Sequence, residues 1–426
     1  MRIAACLLLL LAVSAQSPQP VPSSARDQLH DLQAKAVDAA KACDQQTRIA
    51  ADLGLQRLLN NEPSVLLALA RAYSAAGDTQ KALAAVNGFA DLGLADDNLL
   101  NGSDQRYGAL TALPAFKQVL DRFRRNQAPV SLGSPVLYLS DAGLLTEDLD
   151  YDTSTHTFLI TSILEHKIVR VTVSGAITDF APSPDAWPML AIKIDSARHR
   201  VWATAVALDD FTPAPKAAWG RSAVLSYDLA TGKLLQRIEG PPHTALGDLV
   251  LGPNGDPIVS DGYGGIYRVS GDILRPINIT DFISPQTSVV LPGNNRLLVP
   301  DYVRGLAILD LITGQISWLN ADGSTQVCLH GVDGAYLHNQ QLLLTQNGTN
   351  PQRILLVNLD SSFTHIESAK VIEQSVPGRG DPTHGVVVGD DFYYIANSGW
   401  NQLDDHGDLK PGSKLTSAQI LRYRLK

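Results

Sequence analysis

Six positions between residues 147 and 384 recur at a regular interval, and most of them carry side chains able to hold a cation or move a proton. They are Glu147, the Leu190–Ala191 pair, Gly247-Asp248, Gln286, Asp333 and His384. Each lies about 40–57 residues from the next, the interval of a repeat architecture. If each opens an equivalent strand, the repeat brings them to one ring. Two carboxylates with an amide oxygen in such a ring suit a hard cation such as calcium. The competing reading is that these groups bind water and turn backbones in a channel too narrow for apolar side chains.

Other chemistries have no motif. The chain has no Gly-x-Ser-x-Gly elbow, no His-Glu-x-x-His and no phosphate loop with a following Lys. Gly262-Tyr263-Gly264-Gly265 reads as a hairpin turn, because no helix follows it. Asn397-Ser398-Gly399-Trp400-Asn401 follows a strand and is placed beside His384, with Trp400 expected to pack over a blade end.

The elements that position the ring are short strands. From Glu147 onward, runs of alternating apolar residues recur with three or four strands per unit, as in the stretch Val332–Leu356. A lone four-stranded sheet cannot bury both faces, so such units stack around an axis and cover one another. The fold class expected is an all-β six-bladed propeller over 135–426, preceded by a small N-terminal α-helical domain. Hairpin turns are read at Pro253–Asp256, Pro292–Asn295 and Val388–Asp391. Val136–Leu139 is expected to pair with the last blade and close the ring. The second unit carries a Pro- and Ala-rich insertion.

Ahead of the repeats, residues 1–15 read as a secretory signal peptide. Arg2 precedes an apolar run too short to span a bilayer, and Val13-Ser14-Ala15 offers small residues for cleavage. The mature chain is therefore expected to be exported, periplasmic or extracellular, without stable membrane insertion. Residues 16–24 read as a flexible leader, 25–126 as helices and 127–134 as a Pro/Gly/Ser linker. In the helical part Ser64 opens a helix with its apolar face on Leu67, Ala70 and Tyr73. Gly77-Asp78 breaks it, and Thr79 caps the next. Ala70, Tyr73, Gly77, Ala82 and Ala85 resemble the tetratricopeptide pattern over about one and a half units. That resemblance implies either a docking groove for a protein partner or a packing module, the module being favoured. Cys43 and Cys328 have no metal-ligand spacing and are read as a pair across the domains or as separate buried thiols. Hydrophobic content of 45% with 18% charged residues fits a globular protein. A net charge of −9 without Lys/Arg runs argues against nucleic acid.

The repeat region resembles the regucalcin/gluconolactonase family of six-bladed propellers, which bind calcium in the axial channel and hydrolyse lactones or related esters. In that family a Glu opens the first blade, Asn residues enter two middle blades, and an Asp before Gly enters the fifth. Glu147 matches the first and Asp333-Gly334 the last, where the Asp is both metal ligand and catalytic base. His384 resembles a channel histidine of some relatives. The chain departs at Gly247, with Asp248 beside it, and at Gln286. The resemblance implies a calcium ion held by Glu147, Gln286, Asp333 and Asp248, with Asp333 and His384 catalytic and a small lactone or ester as substrate. The alternative is a non-catalytic ligand-binding or protein-interaction scaffold.

Overall fold

The computed structural model describes residues 23–426 apart from 209–210, 212–215, 294, 320–326 and 405. The expected signal peptide, and Asn294 of the Pro292–Asn295 turn, lie outside the described residues. The described chain forms a six-bladed β-propeller, with six α-helices ahead of it among the described residues.

Blades 1 to 4 are each four consecutive antiparallel strands. Their innermost strands are Thr146–Asp152, Met189–Asp195, Leu246–Leu251 and Val289–Val290. Blade 5 begins at Gly334–His338 and blade 6 at Gly385–Val388. The outer strand of blade 6 comes from the far end of the chain's strand series: Ser134–Tyr138 pairs with Gln419–Arg424. Leu137 and Leu139 then pack with Leu149, Phe158, Ile395 and Ile420, so ring closure is secured by a continuous apolar layer between blades 6 and 1. The stretch 127–134 is no free linker, because Val130–Ser131 pairs with the edge of blade 5 as a fifth strand. The unpaired N–H and C=O groups of that edge favour capture of a passing extended segment.

The ring of side chains depends on a recurring irregularity. The innermost strands of blades 1, 2 and 3 each carry a bulge, between Thr146 and Leu149, Met189 and Ile192, and Leu246 and Asp248. A bulge sets two residues against one on the neighbouring strand and re-aims them. Opposite each bulge stands a hydroxyl that ties the blade to the next. Thr161 Oγ1 donates to Leu190 O at 2.6 Å, Thr204 Oγ1 to Gly247 O at 3.1 Å and Ser260 Oγ to Gln286 O at 3.0 Å. The first two also accept from the bulge: Asp148 N–H reaches Thr161 at 2.9 Å, and Ala191 N–H reaches Thr204 at 3.0 Å.

The helices form two hairpins and a closing helix: α1 (Ala25–Lys41), α2 (Gln45–Leu58), α3 (Pro63–Ala75), α4 (Thr79–Asp91), the one-turn α5 (Asp97–Leu100) and α6 (Pro114–Asn126). The caps sit slightly earlier than the sequence suggests. Glu62 caps α3 with Pro63 in its first turn, and Asp78 rather than Thr79 caps α4, its carboxylate accepting from Lys81 N–H. Gly77 takes φ +80° between them, where a side chain would be strained, and lets Asp78 N–H reach back to Tyr73 O.

This helical region is seated on the propeller. Cys328 joins the core of Phe89, Leu94, Tyr107 and Phe123, and Ile283 joins that of Leu55, Leu59, Val65 and Leu69. Polar contacts frame both: Arg304 Nε donates to Leu58 O and Asn60 Nδ2 to Arg304 O, each at 2.9 Å. Cys43 is exposed, Cys328 is buried, and both are free thiols.

Replacing Thr204 by Val keeps the volume but strands the buried Ala191 N–H and the Gly247 carbonyl. The variant is expected to lose about 1–3 kcal/mol, read as a lower denaturant midpoint at unchanged slope. An unchanged midpoint would mean that the hydroxyl lacing carries no stability.

Candidate active site at the propeller mouth

The bulge of blade 1 delivers Glu147, that of blade 3 delivers Asp248, and the residues just before the innermost strands of blades 5 and 6 are Asp333 and His384. All four side chains converge. His384 is 2% exposed, and its Nε2 stands 3.5 Å from Asp248 Oδ1, 3.9 Å from Glu147 Oε1 and 4.0 Å from Asp333 Oδ2. Donor atoms of Glu147, Asp333 and His384 all lie within 4.8 Å of one another. Donors that share one ion at bond lengths of about 2.0–2.5 Å stand at most about 5 Å apart, so these residues are near enough to share a divalent cation.

Gln286, expected as a ligand, is placed otherwise. Its amide nitrogen donates to Ser284 O at 3.2 Å and to Ser284 Oγ at 3.0 Å. The next residue, Thr287, is the one that reaches the ring: its hydroxyl donates to Asp248 Oδ1 and lies 3.5 Å from His384 Nδ1. Neighbouring residues of an extended chain face opposite ways, so Thr287 pointing to the axis turns Gln286 from it. In blade 3 Gly247 serves through its carbonyl, bound by Thr204, while Asp248 supplies the carboxylate. Blade 2 presents apolar Ala191 at its bulge and a cation beyond it: Lys193 Nζ meets the wholly buried Asp148 at 2.7 Å.

A second layer holds these groups in place. Trp400 Nε1 donates to Glu147 Oε2, and the indole packs edge-on against Phe211 at 5.2 Å, so this residue both packs and binds. Asn347 Nδ2 donates to Asp333 Oδ2 at 2.8 Å, and Asn347 Oδ1 accepts from Tyr302 OH at 3.0 Å. The Tyr336 hydroxyl is hydrogen-bonded to His384 Nδ1 at 3.1 Å and accepts Gly385 N–H at 2.8 Å. Asp148, Lys193, Thr287, Tyr302, Tyr336 and Asn347 escape sequence reasoning. Asp148, adjoining Glu147, Thr287, adjoining Gln286, and Asn347, at the start of the loop between the second and third strands of the fifth unit, stand near a recognisable signal.

Burial governs the charge state. It pushes the Glu147 carboxyl up to about 8, with the nearby Asp248, Asp381 and Asp148 charges adding and the Trp400 hydrogen bond opposing. Asp333 is raised well above the carboxylate range by burial, then by Glu147, Asp248 and Asp381, against the pull of Asn347. Asp248 is raised by burial and partly drawn back by His384 and the Thr287 hydroxyl. Three carboxylates this close are satisfied either by retaining protons or by sharing a cation.

No family profile and no curated protein matches the chain. Solved structures do. A calcium-binding regucalcin from Agrobacterium tumefaciens is 19% identical with a TM-score of 0.47, covering 70% of this chain and 98% of its own. A gluconolactonase from Xanthomonas campestris is 11% identical at 0.44, covering 69% and 98%. A virginiamycin B lyase from Staphylococcus aureus is 16% identical at 0.44, covering 68% and 87%. The chain is a six-bladed propeller with regucalcin and gluconolactonase among its structural neighbours. The likeness extends to architecture alone.

Because Glu147, Asp248 and Asp333 keep their protons to higher pH folded than unfolded, the folded state binds more protons, and stability falls as pH rises. The metal-free protein is therefore expected to lose thermal midpoint from about pH 4, the ordinary carboxylate value, through about pH 8. A divalent cation, which binds the ionised ring, should restore the midpoint more at pH 8 than at pH 5. Calorimetry across this range, with and without the ion, checks both trends; a flat profile would contradict the burial assignment.

Proposed function

We propose that the chain is an exported hydrolase that opens lactones or related esters with the help of a divalent cation at the propeller mouth. The observation carrying this reading is the convergence of carboxylates from blades 1, 3 and 5 on one buried imidazole, with indole and amide donors fixing two of them. Glu147, Asp248 and Asp333 are the residues that would hold the cation. Bound there, the ion would supply Lewis acidity toward a carbonyl oxygen.

The chain's own groups supply proton transfer. The Asp333 carboxylate, held by Asn347 through Oδ2, takes a proton from the attacking water. The water oxygen bonds to the acyl carbon, the acyl C–O bond breaks, and the proton held at Asp333 passes to the departing alkoxide oxygen. Asn347 orients the Asp333 carboxylate, and Tyr302 orients Asn347. Trp400 does the same for Glu147 and places an apolar face at the rim. Calcium, the ion suggested by the oxygen donors in the sequence, is the first cation to supply. The apolar run and small-residue site in residues 1–15 support export.

The test is turnover of aldonolactones and aryl esters by metal-loaded protein. Asp333→Asn is expected to lower kcat by about 10²–10⁴-fold with the fold intact by circular dichroism. Absence of turnover across the panel with calcium, manganese or zinc would end the hydrolase reading.

A further inference from the structure

We infer that His384 is itself a metal ligand, and that its nitrogen selects a borderline ion of the Mn²⁺ or Zn²⁺ class over Ca²⁺. This rests on the reading that the ring holds a divalent cation and goes beyond it in naming the fourth donor and the ion it favours.

The first ground is the donor set. Calcium takes six to eight oxygens, and neutral amide oxygens would help fill that number. Here blade 3 offers glycine at the bulge before Asp248, and blade 4 turns its amide, Gln286, onto Ser284. The centre is occupied instead by an imidazole nitrogen surrounded by three carboxylates. Imidazole suits zinc, iron, nickel and copper, carboxylates suit harder ions, and a mixed set suits the ions between them.

The second ground is how the ring is held. A ligating histidine almost always gives its other N–H to an oxygen, which fixes both tautomer and orientation. Nδ1 of His384 faces two oxygens, the Tyr336 hydroxyl at 3.1 Å and Thr287 Oγ1 at 3.5 Å. The Thr287 hydroxyl proton is directed to Asp248, which leaves its oxygen lone pairs toward His384. Tyr336 is anchored in turn by Gly385 N–H. In the tautomer protonated at Nδ1, the imidazole points the Nε2 lone pair at the three carboxylates. At 2% exposure, with Nε2 3.5–4.0 Å from their oxygens, that nitrogen lacks a short hydrogen bond and is aimed into the donor ring.

The experiment is isothermal titration of the chelator-stripped protein with MnCl₂, ZnCl₂ and CaCl₂ separately, with pulsed electron paramagnetic resonance of the Mn²⁺ form. Expected are at least about tenfold tighter binding of Mn²⁺ or Zn²⁺ than of Ca²⁺ and a ¹⁴N coupling from one imidazole. His384→Gln should abolish the coupling and bring the three affinities together. Tyr336→Phe, which leaves the imidazole present but unpositioned, should weaken Mn²⁺ and Zn²⁺ about tenfold while Ca²⁺ changes less than twofold. This second variant keeps the test decisive if His384→Gln fails to fold. Tighter binding of Ca²⁺, or a Mn²⁺ form without nitrogen coupling, overturns the assignment of His384 while leaving a calcium-dependent hydrolase intact. Failure of all three ions to bind overturns the metal reading and this inference together.

Discussion

Mutual repulsion among carboxylates buried around one imidazole is the constraint on which the rest of the mouth depends. Glu147, Asp248 and Asp333 are contributed by three different blades, and burial raises the cost of ionising each of them. A propeller tolerates that cost because the strain is carried by the whole ring. No single blade can retreat without breaking the apolar layers it shares with both neighbours, such as that of Leu149, Phe158, Ile395 and Ile420. The opposing stabilisation is local and polar: Trp400 on Glu147, Asn347 on Asp333 and Thr287 on Asp248 give each carboxylate one donor. One donor per carboxylate leaves lone pairs facing the axis, which is where a shared cation would be held.

The bulges explain why the mouth is polar and the blade interior is not. Regular alternation would give each innermost strand one axial side chain at this level. Setting two residues against one re-aims both Glu147 and Asp148 in blade 1. Glu147 meets the imidazole while Asp148 turns to Lys193. The hydroxyls opposite the bulges then satisfy backbone groups that the irregularity frees. Bulge, hydroxyl and neighbouring carbonyl thus form one device, used for blades 1 and 2 alike and extended by Ser260 to the fourth innermost strand.

That device also marks how far the sequence can be read. The repeat interval alone places Glu147, Asp248, Asp333 and His384 at one level, because strand count and turn position are written locally in apolar alternation and Gly/Asn/Asp clusters. Ring closure is legible for the same reason, the strand before the first unit needing a partner. Gln286 shows where such reading stops. Its place in the repeat is equivalent to that of Gly247, since the carbonyls of both accept from the preceding blade. Which of two adjacent side chains faces the axis is nevertheless set by local backbone irregularity, which leaves no mark in residue type. The hydrogen bonds of Tyr302, Tyr336 and Trp400 are invisible for another reason: each residue meets its partner across at least 45 residues of chain, through tertiary placement alone.

The helical region belongs to this placement as well. The loop that carries Asn347 continues through Gly348 to Asn350, whose carbonyl accepts Ala95 N–H from the helices at 2.8 Å. Arg353, the buried first residue of the strand that follows the loop, donates to Gly93 O at 3.2 Å. At its other end the loop follows Gln346, whose amide is bound to the carbonyls of Cys328 and His330, and Cys328 lies in the helical core. Asn347 therefore orients Asp333 from a loop held by the helices at Asn350 and, at Gln346, by the propeller segment of Cys328 and His330 that packs against them. A helical pair too short to stand as a repeat array is stabilised by this docking, and the loop it clamps is fixed in the same act. Ile283 and Cys328 each enter one of the two apolar cores of the helical region. The helices act here as a buttress to the blade that supplies Asp333.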